Sequence, residues 1–157
     1  MNLSFQLIGE GVGSANDGGI WQNAIMNSIA AWNNAGVGAN ITASATSTSN
    51  YKIQVMEREE DWYGLCHQTF SSSSGSTTQC LITLNSSELP SGTTESDANF
   101  RQSTAVHEIG HLLSLEDNPD VETANDSIMS GNRDRTVVTT PQDFDIENVR
   151  FRYDSFE

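Results

Sequence analysis

The apolar positions of this chain change period several times. In "NLSFQLIG", Leu3, Phe5 and Leu7 alternate with polar residues, the pattern of a strand with one buried face. After a glycine-rich turn from Gly9 to Gly19, "GIWQNAIMNSIAAWNNAG" brings Trp21, Ala24, Ile25, Ile29 and Trp32 round at helical spacing. Gly36 is the expected stop, and both tryptophans are expected in the core. "YKIQVME" alternates again through Tyr51, Ile53 and Val55, and "CLITLN" is a short strand bounded by polar runs. "ITASATSTSN" is polar and reads as an edge or a loop, and 62–70 has no decisive period. A second helix is expected from Asn99 to about Leu115, with Ser96 or Asp97 as its cap. Turns follow. In the final "TPQDFDIENVRFRY", Thr140 takes the N-cap, Pro141 the first helical position and Asp143 the third. Phe144, Val149 and Phe151 or Tyr153 would then face inward.

Strand, helix, strands, helix, turns, helix is an α+β order: one sheet with two helices packed on it, and a third helix in a small lower part. The 157 residues contain no internal repeat and suit one domain. The net charge of −14 makes nucleic acid and anionic membranes poor partners. No stretch has the length of a membrane-spanning helix, and the start lacks the pattern of a signal peptide. Cys66 and Cys80 flank a flexible polar loop that a disulfide would staple by roughly 3 kcal/mol. A bridge is expected here, and with it secretion.

The chemistry is concentrated in "HEIGHLLSLED". Residues four apart share a helix face, so His107 and His111 can aim two imidazoles at one zinc ion. Glu108 reaches the same cavity as a general base. A catalytic zinc usually takes three protein ligands, and the sequence offers Glu116, Asp117, Asp120 and Glu122 for the third. If the helix ends near Ser114 the chain turns back, and Asp117 reaches the metal from below. His67, the other histidine, reads as a partly exposed strand or loop residue.

His107, Glu108, His111, Ser114 and Asp117 stand where the metzincin metalloproteases carry HExxHxxGxx and a third ligand, His or Asp. The aspartate resembles the snapalysin branch. "DSIMSG", with Met129 at its centre, resembles the family's methionine turn, and its wording, the first helix and the final helix resemble the matrix metalloproteases. Two departures stand out. Ser114 replaces the family's glycine, at a cost of about 1 kcal/mol for left-handed geometry, and no tyrosine follows Met129 closely.

The resemblance implies a metzincin-like twisted mixed β-sheet, with an upper subdomain over 1–114 and a lower one over 115–157 that holds the Met-turn. It implies zinc at His107, His111 and Asp117; calcium, the second candidate cofactor, comes instead from the excess of carboxylates. It further implies a monomeric secreted endopeptidase acting on polypeptides. Substrate would pair as an added strand near "CLITLN", and residues 139–144 would line the pocket after the cut. Asp117, being charged, would leave the zinc less electrophilic than a third histidine would. Two other classes fit the same motif: a catalytically silent binding protein on this scaffold, and a zinc hydrolase of a non-protein amide.

Overall fold

A computed structural model describes residues 1–9 and 19–154. The expected turn between Gly9 and Gly19 therefore lies outside the described residues, apart from its two ends. Strand β1 (Asn2–Gly9) leads to helix α1 (Ile20–Asn34), then β2 (Asn40–Ser44), β3 (Tyr51–Met56), β4 (Gly64–Phe70) and β5 (Thr77–Asn85). Helix α2 (Glu95–Leu112) and the terminal helix α3 (Asp143–Asp154) complete the α+β order.

The five strands form one mixed sheet in the order β2-β1-β3-β5-β4. Neighbours are parallel from β2 to β5, and β4 runs antiparallel to β5. Alternation in β1 buries Phe5 and Leu7, and β3 buries Ile53 and Val55 on the same core. Ala24, Ile25, Ser28, Ile29 and Trp32 form the buried stripe of α1. The Trp32 indole donates to the Val106 carbonyl at 2.9 Å, tying α1 to α2. Trp21 is half-buried at the margin of the core, not inside it. Gly36, at φ 69°, follows the end of α1 as its pattern requires.

Several boundaries differ from expectation. The polar 40–44 segment is an edge strand, and the uncertain 62–70 stretch supplies the other edge, β4. "CLITLN" lies in β5, flanked by β3 and β4, so it cannot accept an added strand; the free edge beside α2 is β4. Helix α2 starts earlier than expected, at a Thr94 cap that accepts from the Asp97 amide at 3.2 Å while the Asp97 carboxylate accepts from the Thr94 amide at 3.3 Å. Helix α3 starts later, so Thr140 does not cap it. Val149 is buried as read, but Phe151 is 75% exposed and Phe144 also faces out, because Ile146 and Tyr153 provide the other inward contacts.

Cys66 and Cys80 are free thiols, which corrects the expected disulfide. They sit on adjacent strands in diagonal register, Cys66 opposite Ile82 and Cys80 opposite Gln68. Their sulfurs are 3.6 Å apart, a hydrogen-bond contact and not a bond of about 2.0 Å. That contact, with burial, holds the Cys66 thiol far above the ordinary thiol range. The expectation of secretion, which leaned on the bridge, loses that support.

Candidate metal centre

Helix α2 carries His107 and His111 on one face, and their rings meet edge to face with centroids 4.8 Å apart. The helix then stops abruptly. Ser114 takes φ 69°, its amide donates to the His111 carbonyl at 3.0 Å, and the Leu115 amide donates to the Gly110 carbonyl at 3.0 Å. This paired closure around one left-handed residue is a Schellman stop, with serine where glycine is usual. Asn118, also left-handed at φ 51°, completes the reversal by donating its amide to the Met129 carbonyl at 3.1 Å.

The reversal brings Asp117 to the histidines. Its Oδ1 lies 3.0 Å from His107 Nε2 and 3.5 Å from His111 Nε2. Among the described residues, this trio is the one group of His, Cys, Asp or Glu side chains whose ligand atoms converge, all within 4.8 Å of one another. Glu116, Asp120 and Glu122 are not brought into it. His67 is exposed on β4 and stands apart.

The imidazoles are held from behind. His107 Nδ1 is 3.0 Å from the Ile128 carbonyl, and His111 Nδ1 is 3.0 Å from the Leu115 carbonyl. A carbonyl only accepts, so each contact favours the tautomer with Nδ1 protonated and the Nε2 lone pair toward Asp117, although the Arg133 guanidinium also approaches His107 Nδ1 at 3.3 Å. Burial also lowers the pKa of His107, favouring the neutral ring. A neutral Nε2 facing a carboxylate oxygen sets two electron-rich atoms together, and a cation between them resolves the conflict. Zinc bonds of about 2.0–2.2 Å in a tetrahedron put ligand atoms about 3.4 Å apart, close to the spacings here. The donor set therefore fits zinc: two neutral imidazoles and a carboxylate.

The floor beneath the trio is the turn at 127–130. Ile128 and Met129 are fully buried, and Gly110 lets them close in: a Cβ there would stand 2.6 Å from Met129 Sδ. Asp145, 1% exposed at the start of α3, organises this turn. Its carboxylate accepts from the Ser127 hydroxyl and from the amides of Ile128 and Gln142, the last two at 2.8 Å. Buried Arg133 donates to the Ser103 hydroxyl at 3.0 Å and to the Ser130 carbonyl at 2.8 Å, pinning the turn to α2.

Glu108 stands beside His107, buried against the first residue of β4. A Cβ on Gly64 would lie 2.6 Å from Glu108 Oε1, so only glycine allows this approach. Burial, reinforced by the Asp117 charge, pushes the Glu108 carboxyl up to about 8. A cation bound at the trio would oppose that rise. The neighbouring cavity, about 330 Å³, is lined by the trio, Glu108 and the β4 residues Gly64, Leu65, Cys66 and Gln68. Gln68 also ties this wall to the helix, donating to the His111 carbonyl at 3.0 Å. A further cavity of about 310 Å³ lies between Asp117, Met129 and α3, and of the 139–144 segment Phe144 reaches it. Thr139 is instead drawn to α2, accepting from Gln102 at 3.0 Å.

Sequence reading missed Gly64, Gly110, Arg133 and Asp145. Gly110 alone left a local signal, as a helix-breaking residue inside the motif. The others act through contacts between distant segments.

No protein-family model matches the sequence, nor does any curated protein. Among solved structures, a chain of the GM1-bound form of the ECX AB5 holotoxin matches with a TM-score of 0.64 and 15% identity, over 95% of this chain and 78% of that one. Archaemetzincin from Methanopyrus kandleri matches with a TM-score of 0.60 and 8% identity, over 98% of this chain and 96% of that one. At these identities the likeness is one of fold, and this chain has the fold that those two proteins share with it.

Proposed function

We propose that this chain is a zinc-dependent endopeptidase with His107, His111 and Asp117 as metal ligands and Glu108 as general base. The observation that carries the reading is the trio itself: two Nε2 atoms and one carboxylate oxygen converging beside a buried glutamate. The fold shared with archaemetzincin supports it.

When bound, zinc would lower the pKa of a water molecule and polarise a carbonyl oxygen. The chain's own residues do the rest. Glu108 takes a proton from the attacking water, which requires its carboxylate form; burial and the Asp117 charge push the carboxyl up to about 8, and a cation bound at the trio would bring it back down. It then passes that proton to the departing amine. The carbonyls of Ile128 and Leu115 keep the imidazoles in their ligating tautomer. The free edge of β4 offers backbone groups to an extended polypeptide lying over the cavity, which is why a peptide is favoured over a small amide. The enzyme is read as a monomer.

The test is casein cleavage by the zinc-loaded chain, by Glu108→Ala, and by the wild type after chelation. The expected result is activity in the wild type alone, with the variant keeping one zinc per chain. Equal activity in Glu108→Ala would remove the glutamate from the mechanism.

A further inference from the structure

The cleft holds a second cation that the proposed mechanism leaves unused. Arg135 lines a cavity of about 230 Å³ with Trp62, Tyr63, Thr104, His107 and Glu108. Gly64, His107 and Glu108 also line the 330 Å³ cavity of the metal trio, so the two cavities adjoin at the proposed general base. The guanidinium is held over two rings, 5.0 Å from the Tyr63 centroid and 5.7 Å from that of Phe100. Those rings brace each other edge to face at 5.1 Å.

Arg135 differs from the other half-buried or buried arginines in having no polar partner. Arg133 donates to Ser103 and Ser130, and Arg101 to the carbonyls of Pro90 and Gly92. No hydrogen bond or ion pair to Arg135 occurs among the described residues; it stacks on the two rings and feels the Glu108 and Asp117 charges without pairing with either. Glu108, in the same cavity, does not pair with it within 4.0 Å. Ring stacking fixes the plane of a guanidinium and leaves its N–H fork free, the arrangement that takes a carboxylate in bidentate fashion. In a chain of net charge −14, one free guanidinium beside the base marks where an anionic group is accepted and not repelled.

We propose that Arg135 is a specificity residue that binds a substrate carboxylate close to the scissile bond, borne by an acidic side chain or by the substrate's C-terminus. This rests on the endopeptidase reading for its substrate class, but the binding site itself does not. If the carboxylate is the C-terminal one, the activity is a terminal trimming of peptides, and the endopeptidase reading gives way to an exopeptidase one at the same centre.

Two measurements test it. The first is an NMR titration of the zinc-loaded chain, following the Trp62 indole, with two matched pairs: acetyl-aspartyl amide against acetyl-asparaginyl amide for a side-chain carboxylate, and acetyl-alanine against acetyl-alanine amide for a C-terminal one. In at least one pair the carboxylate should bind at least tenfold more tightly than its amide, and Arg135→Gln should erase the difference while keeping wild-type zinc content and melting temperature. Equal binding within both pairs by the wild type, which requires no variant, would overturn the proposal. The second is cleavage of a peptide library with free or amidated C-termini. Enrichment of Asp and Glu near the cut in both sets identifies the side-chain source; cleavage confined to free C-termini identifies the terminus. Arg135→Gln should raise KM for carboxylate-bearing peptides at least tenfold. An equal fall in kcat for charged and neutral peptides would make Arg135 a transition-state group and overturn the proposal. A chain that cleaves nothing overturns the endopeptidase reading, while the titration still decides Arg135.

Discussion

At the scale of single residues, closeness of approach governs the site. Gly64 touches Glu108 where any larger residue would collide with the carboxylate and with Thr104. Gly64→Ala is expected to displace Glu108 and lower kcat by about 10²-fold, the order of loss that a misplacement of about 1 Å causes. Zinc content should hold, since the atoms nearest a Cβ at Gly64 belong to Glu108 and Thr104 and not to the trio. Ser114 offers the opposite test. It adopts φ 69° with a side chain that penalises that conformation. Ser114→Gly is expected to stabilise the chain by about 0.5–1 kcal/mol, which calorimetry would register as a rise of roughly 1–4 °C in Tm. Within the motif these residues were readable: the spacing of His107, Glu108 and His111 needs nothing but a helix, and Ser114 is marked by where that helix must stop. Gly64 was not, because its role exists only once β4 is laid against α2.

At the scale of elements, the start of α3 is tied to the site more closely than its sequence suggests. The pattern from Thr140 to Asp143 looks like a complete capping box, yet the helix begins at Asp143 and the buried carboxylate is that of Asp145. Local capping preference lost to a tertiary demand: the amides of Ile128 and Gln142 and the Ser127 hydroxyl need one acceptor, and Asp145 serves all three. Asp145→Ala leaves buried donors unsatisfied, at about 1–3 kcal/mol each. Urea unfolding should show a loss of at least 2 kcal/mol. Because the Ile128 carbonyl orients His107, zinc affinity should fall by roughly 10–100-fold as well. The strands show the same limit. Alternation identified β1 and β3, but β4 has a weak pattern because it is an edge, with one face half-buried and the other exposed. With β4 unread, the free edge was assigned to β5.

At the scale of the whole molecule, fold and metal are linked. Helix α2 carries two of the proposed ligands, the reversal after Leu112 brings the third, and the turn at 127–130 closes the base. A cation at the trio binds the folded chain and not the unfolded one, so it stabilises by mass action, about 2.7 kcal/mol at a hundredfold excess over Kd. Chelation is expected to lower Tm by several degrees, and zinc, followed by differential scanning fluorimetry, to restore it. Asp117→Ala should abolish that response. The α+β order was legible from periodicity and the trio from motif spacing; the sheet order was not, since parallel pairing joins segments that share no local signal.

The most direct test of the central claim is zinc-edge anomalous diffraction from crystals of the zinc-loaded chain. The account predicts one peak per chain, about 2.0–2.2 Å from His107 Nε2, His111 Nε2 and an Asp117 carboxylate oxygen. A fully loaded crystal with no peak between those three atoms, or with its peak elsewhere, would contradict it.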